Sequence, residues 1–501
     1  MLSYFLCFVC GGLLVLGFAP FYWAPIALIA PGVLAYYHAP SNLSSSFWRG
    51  LSFGLGLMSF GVYWIFICVH QYGHANLFIS FIATALFVCV NALMYALFSL
   101  AFNGLSRFTW LTLAYWLLFP CCWVFFEWLR AHILSGFPWL LLGYTQVTGP
   151  FKIIIPFVGV YGTSFVVALI ASSLSLLIQP VCRSIKITSA AIVLALVGGF
   201  SAISTTHWTQ PTNAQVNVAL LQGNIDQSIK WNPQFAQSTL NNYLDLIRQN
   251  KDADLIVLPE GAFPVWNTSI APLLTKLQQT EKAQGNSIII GLPYFSKNGQ
   301  AYNSLLMLGQ FQGLYFKRKL VPFGEYIPYG NLFEPLLRSI DLGNFGYAHG
   351  PQHQPLLPFG STRIAPFICY EVAYSNEVIE QAKHSGFLVV ISDDSWYGKS
   401  IALNQQLEIA QMRALETGRP VLTSNSTGIT AVIDPRGRIQ HSIPIDQRGV
   451  LRATIRPVTG QTPLVRWGYP PVFYFLLALF IICFAAPRYT TKKNHSKPGS
   501  S

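Results

Sequence analysis

The chain has 501 residues, 52% of them hydrophobic and only 10% charged, against roughly a quarter charged in ordinary soluble domains. Its net charge is +12, but 18 of the 19 acidic residues and 21 of the 31 Lys and Arg lie in one polar stretch, about 212–470. The surplus positive charge therefore belongs to the loops and tail of a membrane protein, which excludes a nucleic-acid surface as its cause.

Seven apolar runs precede the polar stretch, at approximately 2–19, 21–38, 50–70, 77–103, 109–128, 157–178 and 187–206, and one follows it at about 471–487. A bilayer crossing needs roughly 20 apolar residues. The first run has no basic leading region and no small-residue cleavage site, so it reads as a retained helix. Arg49, Arg107, Arg183 and Lys186 fall in loops on one side of an eight-span arrangement, and Arg488, Lys492, Lys493 and Lys497 join them. His70, His74, Arg130, His132 and Lys152 fall opposite. The positive-inside rule then puts both termini in the cytoplasm and the polar domain outside, which in a bacterium is the periplasm. The expected division is a membrane domain over 1–211, an α/β domain over 212–469, an eighth helix over 470–488 and a basic tail over 489–501.

Between spans five and six, Ile133 to Phe157 carries Gly136, Phe137, Pro138 and Trp139 and reads as an interfacial or re-entrant segment. Glu127 and Arg130, three apart, read as a helix-end pair snorkelling to the interface, with a lipid-headgroup contact as the alternative. In the polar domain, strands are expected at Val216–Asn224, Asp254–Leu258, Ser287–Tyr294, Ser304–Leu308, Arg363–Ile368, Leu388–Ser392, Val421–Ser424 and Thr430–Asp434. Several are unbroken apolar runs, as in strands covered on both faces. Helices are expected at Ala236–Asn250, Ile270–Gln284, Glu371–His384 and Leu403–Glu416. This order describes a layered α/β domain with one substantial core.

Cys369 is the single cysteine of the polar domain and ends a strand-like run. A lone thiol outside the cytoplasm has no internal disulfide partner there and invites a chemical explanation, against the plainer reading of a small buried hydrophobe. Two further segments place polar residues in odd contexts: Leu258-Pro259-Glu260, and Lys317 to Glu325 with Leu320-Val321-Pro322-Phe323-Gly324 between. A carboxylate that takes a thiol proton and an ammonium that stabilises the thiolate make an activated nucleophile. His353 and His384 are isolated and read as surface residues. His and Cys do not recur at metal-ligand spacings, so neither a metal nor a cofactor is expected.

Leu-Pro-Glu, then Lys-x-x-Leu-Val-Pro-Phe-Gly-Glu, then Cys-Tyr-Glu resemble the Glu–Lys–Cys triad of the nitrilase (carbon–nitrogen hydrolase) superfamily, an αββα sandwich. The longer wording resembles its apolipoprotein N-acyltransferase branch: Gln222-Gly223-Asn224 with Lys230-Trp231, Tyr302-Asn303-Ser304, Asp394-Ser395-Trp396-Tyr397-Gly398, Met412 to Pro420 and Thr427 to Ala431. The resemblance implies Glu260 as general base, Lys317 as transition-state stabiliser and Cys369 as nucleophile. It implies Glu325 as a second positioning carboxylate, and Trp231, Tyr370 and Glu371 lining or supporting the substrate channel. Asn303 and Trp396 are further site residues by resemblance, though Asn303 reads equally as a strand cap and Trp396 as a core aromatic. The chain departs from the common wording at Leu258, at Ser392-Asp393-Asp394 and around Ser424-Asn425-Ser426, which bears on acyl-chain or headgroup preference.

The reaction implied is a two-step acyl transfer. Cys369 takes an acyl chain, typically sn-1, from phosphatidylethanolamine, and passes it to the α-amino group of an S-diacylglyceryl cysteine at a lipoprotein N-terminus. The implied partners are a phospholipid donor, the apolipoprotein acceptor and the membrane, with no nucleic acid and a monomeric chain. The aromatic stretch from Gly324 to Tyr347 is expected to dip into the interface as a lid. A membrane-tethered amidase or nitrilase on a small substrate shares the triad but leaves eight spans unexplained. A transporter or receptor with a degenerate domain is disfavoured by spans nearly free of ionisable residues.

Overall fold

A computed structural model describes residues 1–38, 42–202, 208–328 and 346–485. The basic tail and residues 329–345 of the expected lid lie outside the described residues.

The apolar runs fold as the helices Leu2–Leu14, Ala24–His38, Leu43–Gly61, Leu77–Ser106, Phe119–His132, Ile155–Ile178, Arg183–Ala202 and Pro470–Ala485. Among the described residues, Leu77–Ser106, Leu111–Ser135 and Pro150–Ile178 are long and apolar enough to cross a membrane. Leu43–Gly61 and Trp64–Tyr72 make a fourth such segment, bent by 51°, while Leu2–Gly17, Ala24–His38 and Pro470–Ala485 are shorter apolar helices. Small residues set how closely they pack: a Cβ on Gly11 would stand 2.0 Å from the Phe53 carbonyl oxygen, and one on Gly56 2.0 Å from that of Phe8. Helices in lipid associate through such close contacts because no hydrophobic force separates them from the tails.

The Ile133–Phe157 stretch breaks into short turns with Trp139 to Tyr144 buried. Its free backbone groups need partners away from water, and Glu127 supplies one. Its Oε1 accepts from Leu142 N at 2.7 Å and from Trp123 Nε1 at 2.9 Å. Glu127 and Arg130 are both buried, which corrects the expectation that they snorkel: the irregular segment folds over them and uses the carboxylate as an acceptor.

Among the described residues, the polar domain holds two six-stranded sheets and a two-stranded ribbon. The first sheet runs β13(Gly449–Ile455)-β2(Val216–Gln222)-β3(Leu255–Val257)-β4(Ser287–Phe295)-β5(Ala301–Gly309)-β6(Gly313–Phe316), with β2, β3 and β4 parallel. The second runs β12(Ile439–Ile443)-β11(Thr430–Ile433)-β10(Val421–Asn425)-β9(Phe387–Ser392)-β8(Thr362–Ile368)-β7(Leu357–Phe359), with β8, β9 and β10 parallel. The ribbon pairs β1(Thr209–Pro211) with β14(Val458–Gly460). Ser424 Oγ joins the sheets by donating to the carbonyls of Leu221 and Val257.

Helices Pro233–Arg248 and Ala271–Gln284 cover the first sheet through Leu240, Tyr243, Leu246 and Leu277. Asn232 and Pro233 start the former and left-handed Gly285 ends the latter, as capping preferences require. On the second sheet lie Ser375–Ala382 and Ala402–Thr417. The Glu371–His384 helix expected from the sequence is shorter, because Cys369–Ala373 forms a separate turn. Ala402–Thr417 is buried along its length except at Asn404, because its outer face rests on the membrane helices.

Candidate active site

Parallel strands β3, β8 and β9 lead to Glu260, Cys369 and Asp393 just beyond their C-terminal ends, Lys230 ends the short helix Gln227–Lys230 that follows β2, and Lys317 follows β6 directly. Crevices beyond such strand ends are where open α/β sheets present chemistry. Lys317 is fixed by its main chain: its N–H donates to Asn303 O at 2.9 Å and its carbonyl accepts from Gly350 N at 2.8 Å. Its Nζ lies 3.1 Å from Glu260 Oε1 and 2.9 Å from Glu325 Oε1. Asn303 Nδ2 donates to the same two oxygens at 2.6 Å each. Two carboxylates that would repel each other are thus held on two shared donors. Glu260 Oε2 accepts from Asp393 N at 3.0 Å, and Glu325 Oε2 from Val321 N at 2.7 Å.

Burial pushes the Glu260 carboxyl up, but the Lys317 ammonium, the Asn303 amide and Lys230 outweigh it and hold the group below its ordinary value. Burial opposes the charge of Lys317, yet Glu260 and Glu325 keep its ammonium well above the usual range. Burial, and then the Glu260 charge, push the Cys369 thiol well up, against Lys317 and the Ser392 hydroxyl. The resting site is therefore a carboxylate, an ammonium and a protonated thiol, which is the state from which a base-assisted attack begins.

Cys369 takes φ +53, a conformation that costs a non-glycine residue about 1–3 kcal/mol. Glu371 offsets that strain. Its Oε2 accepts from Ile368 N at 2.8 Å, its Oε1 from Arg318 N at 2.6 Å, and Tyr315 Oη lies 3.1 Å from both oxygens. One carboxylate thereby ties the residue before Cys369 to the residue after Lys317. Burial pushes Glu371 up to about 7 against these hydrogen bonds.

The remaining sequence-predicted residues divide by location. Tyr370 Oη donates to Gly136 O at 2.9 Å, and its ring stacks on Trp139 at 6.2 Å, so it joins the site to the irregular membrane segment. Trp231, half-buried, packs where a Cβ on Gly261 would stand 3.3 Å from its ring. Trp396 lies edge-on to Tyr72 of the membrane half at 6.1 Å, and its indole Nε1 donates at 3.3 Å to the side-chain oxygen of Gln227, whose amide nitrogen reaches Asp393. His353 and His384 are exposed. Among the described residues no group of His, Cys, Asp and Glu is arranged to hold a metal ion.

Three residues quoted in the sequence only as wording belong to the cluster. Lys230 and Asp393 form a buried ion pair of 2.6 Å against Glu260. Asp394 accepts from Ser392 Oγ at 2.5 Å and Asn425 Nδ2 at 2.6 Å, and burial pushes it up to about 7. The signal was an Asp-Asp pair just after an apolar strand and a Lys in the short segment beyond another, each an ordinary surface pattern taken alone.

Residues 10–173 match the family described as the apolipoprotein N-acyltransferase N-terminal domain, and 217–463 match carbon-nitrogen hydrolase. A curated relative from Coxiella burnetii named apolipoprotein N-acyltransferase is 39% identical over 481 residues, covering 96% of this chain and 99% of that protein. Another of that name from Pseudomonas syringae pv. tomato is 37% identical over 478 residues, covering 94% of each. A solved structure of a nitrilase-superfamily amidase from Nesterenkonia sp. AN1 is similar at 16% identity with a TM-score of 0.39, covering 53% of this chain and 98% of that one.

Proposed function

Because the chain belongs to the apolipoprotein N-acyltransferase family and is an acyltransferase of lipoprotein maturation, we propose that Glu260, Lys317 and Cys369 carry its chemistry. The observation that carries this assignment is the buried pairing of Lys317 Nζ with Glu260 Oε1 at 3.1 Å, within electrostatic reach of the thiol at the bend after β8. Glu260 accepts the Cys369 proton as the sulfur attacks the ester carbonyl of a phospholipid. Lys317 stabilises the thiolate and the negative charge that develops on the carbonyl oxygen. The ester C–O bond breaks, the leaving alkoxide takes the proton from Glu260, and a lysophospholipid departs from a Cys369 thioester. The α-amino group of a diacylglyceryl cysteine then attacks that thioester and Glu260 takes a proton from the nitrogen. The C–S bond breaks, giving an amide and the free thiol. Glu325 and Asn303 hold Glu260 and Lys317 at their separation. We further infer an inner-membrane location, with the α/β domain in the periplasm and the chain acting as a monomer.

The test is the mass of the Cys369 peptide after purified protein meets phosphatidylethanolamine without an acceptor. A hydroxylamine-labile acyl adduct is expected, absent in Cys369→Ala and Glu260→Gln, and discharged by a diacylglyceryl-cysteine peptide. No adduct from any phospholipid, in protein whose Cys369 still reacts with thiol reagents, overturns the proposal.

A further inference from the structure

Glu260 is gripped by a second ion pair that the acyl-transfer steps do not use. Lys230 Nζ and Asp393 Oδ2 stand 2.6 Å apart, with 1% and 5% of their side chains exposed. Lys230 Nζ also donates to the main-chain carbonyl of Glu260 at 2.9 Å, and the Asp393 N–H donates to Glu260 Oε2 at 3.0 Å. Asp393 Oδ1 accepts from Ser395 Oγ at 2.5 Å. The chain turns over the ammonium at Gly261, where φ is +59 and a Cβ would lie 3.2 Å from Lys230 Nζ.

We infer that Lys230 and Asp393 are a positioning pair for Glu260, fixing its backbone and one carboxylate oxygen while cancelling each other's charge beside it. The inference rests on Glu260 being the base. A buried ammonium with no counterion is costly, and one left unbalanced beside Glu260 would favour its ionised form and weaken it as a proton acceptor. Asp393, paired with Lys230 at 2.6 Å, offsets part of that pull while its N–H orients the carboxylate. The other groups whose charge faces Glu260 are Lys317 and Glu325 from the segment after β6, Cys369 and Asp394 from the ends of β8 and β9, and Tyr347; Tyr72 and Tyr243 face Asp393. Within this set, Lys230 and Asp393 can be exchanged without altering the thiol, the base or Lys317.

The experiment reads iodoacetamide alkylation of Cys369 against pH in the full detergent-solubilised chain, beside the pH profile of thioester formation from phosphatidylethanolamine. Asp393→Asn leaves Lys230 unbalanced, favours the charged forms of Glu260 and the thiolate, and moves both profiles to lower pH by about one unit, roughly tenfold in thiolate at a fixed pH. Lys230→Met leaves Asp393 unbalanced and moves them to higher pH by a similar amount. The double variant returns toward the wild-type profile. Shifts of the same sign, or slower reaction with unmoved profiles, overturn the inference. Asn matches Asp in shape, so the Asp393→Asn shift decides the matter alone if Lys230→Met fails to fold. Alkylation needs no lipid, so shifted alkylation without any thioester would overturn the acyl-transfer reading and leave the pair standing.

Discussion

At Cys369 the strain is local and so is its remedy. The positive φ turns the thiol out of the strand direction, and Glu371 braces the residues on either side of the cleft. A glutamine at 371 would keep the shape but replace one acceptor oxygen with an NH₂ facing the N–H of Ile368 or of Arg318. Leaving a buried donor unpaired costs about 1–3 kcal/mol, and here the cost falls on the segment that aligns sulfur with ammonium. Glu371→Gln is therefore expected to lower the melting temperature and to slow Cys369 acylation by about tenfold or more, while Glu371→Asp fails differently because its shorter arm cannot span both N–H groups. Single-turnover acylation followed by mass spectrometry, beside thermal melting, checks this. An unchanged acylation rate in Glu371→Gln would show that the brace has no bearing on alignment.

Among the elements, the Ala402–Thr417 helix explains why the two halves form one structure. Its polar side chains satisfy backbone groups that broken membrane helices leave unpaired. Gln405 Nε2 donates to Gly61 O at 3.1 Å, at the end of the Leu43–Gly61 helix. Glu408 Oε1 accepts from Ala19 N at 3.1 Å. Glu416 Oε1 accepts from Val160 N at 2.9 Å, beside the non-helical Gly159, while Tyr469, Ser375 and Arg413 complete its contacts. Removing one partner of a buried charged pair costs roughly 3–5 kcal/mol, so Glu416→Ala is expected to lower the melting temperature and to open the seam to protease before the sheets unfold. Limited proteolysis of the detergent-solubilised chain reads this; a cleavage pattern identical to wild type would remove the seam's dependence on Glu416.

The same helix shows what sequence patterns reveal and what they hide. Its existence was legible from the residues of the Leu403–Glu416 run, as were the apolar runs of the membrane half and the eight expected strands, several of them near-continuous in Val, Ile and Leu. What it packs against was not, because Gln405, Glu408 and Glu416 look like the solvated face of any surface helix until the helix breaks they serve are placed in space. The edge strands escaped for a different reason: β6 and β7 have only four and three residues, too few to show a period, and β12 is exposed at Ile439 to Ser442 and has no apolar run. In the site, three residues stood out because their context was odd, whereas Lys230 and Asp393 gain meaning only from a pairing that spans 163 positions.

Across the whole molecule, charge and contact distinguish the same two ends of the helical bundle. At one end Arg49 binds Ser3 Oγ and the Tyr37 carbonyl, Arg107 binds Asn103, and Asn103 reaches Ser46. At the other, Ala19, Gly61, Trp64 and Val160 contact the Ala402–Thr417 helix. The basic end is thus remote from the α/β domain, which is the asymmetry that the positive-inside rule converts into orientation. In the orientation proposed above, the thiol would stand at a bilayer surface, where a lipid need not be drawn into water at about 0.8 kcal/mol for each CH₂ exposed. The orientation predicts unequal access for a membrane-impermeant maleimide. In intact spheroplasts, a cysteine at Asn298→Cys, in the exposed turn between β4 and β5, is expected to label fully. One at Ser44→Cys, exposed at the start of the Leu43–Gly61 helix, is expected to label only after lysis, with each peptide read by mass. The reverse order would put the α/β domain in the cytoplasm, away from exported lipoproteins, and labelling of Ser44→Cys before lysis would by itself reverse the orientation drawn from Arg49 and Arg107.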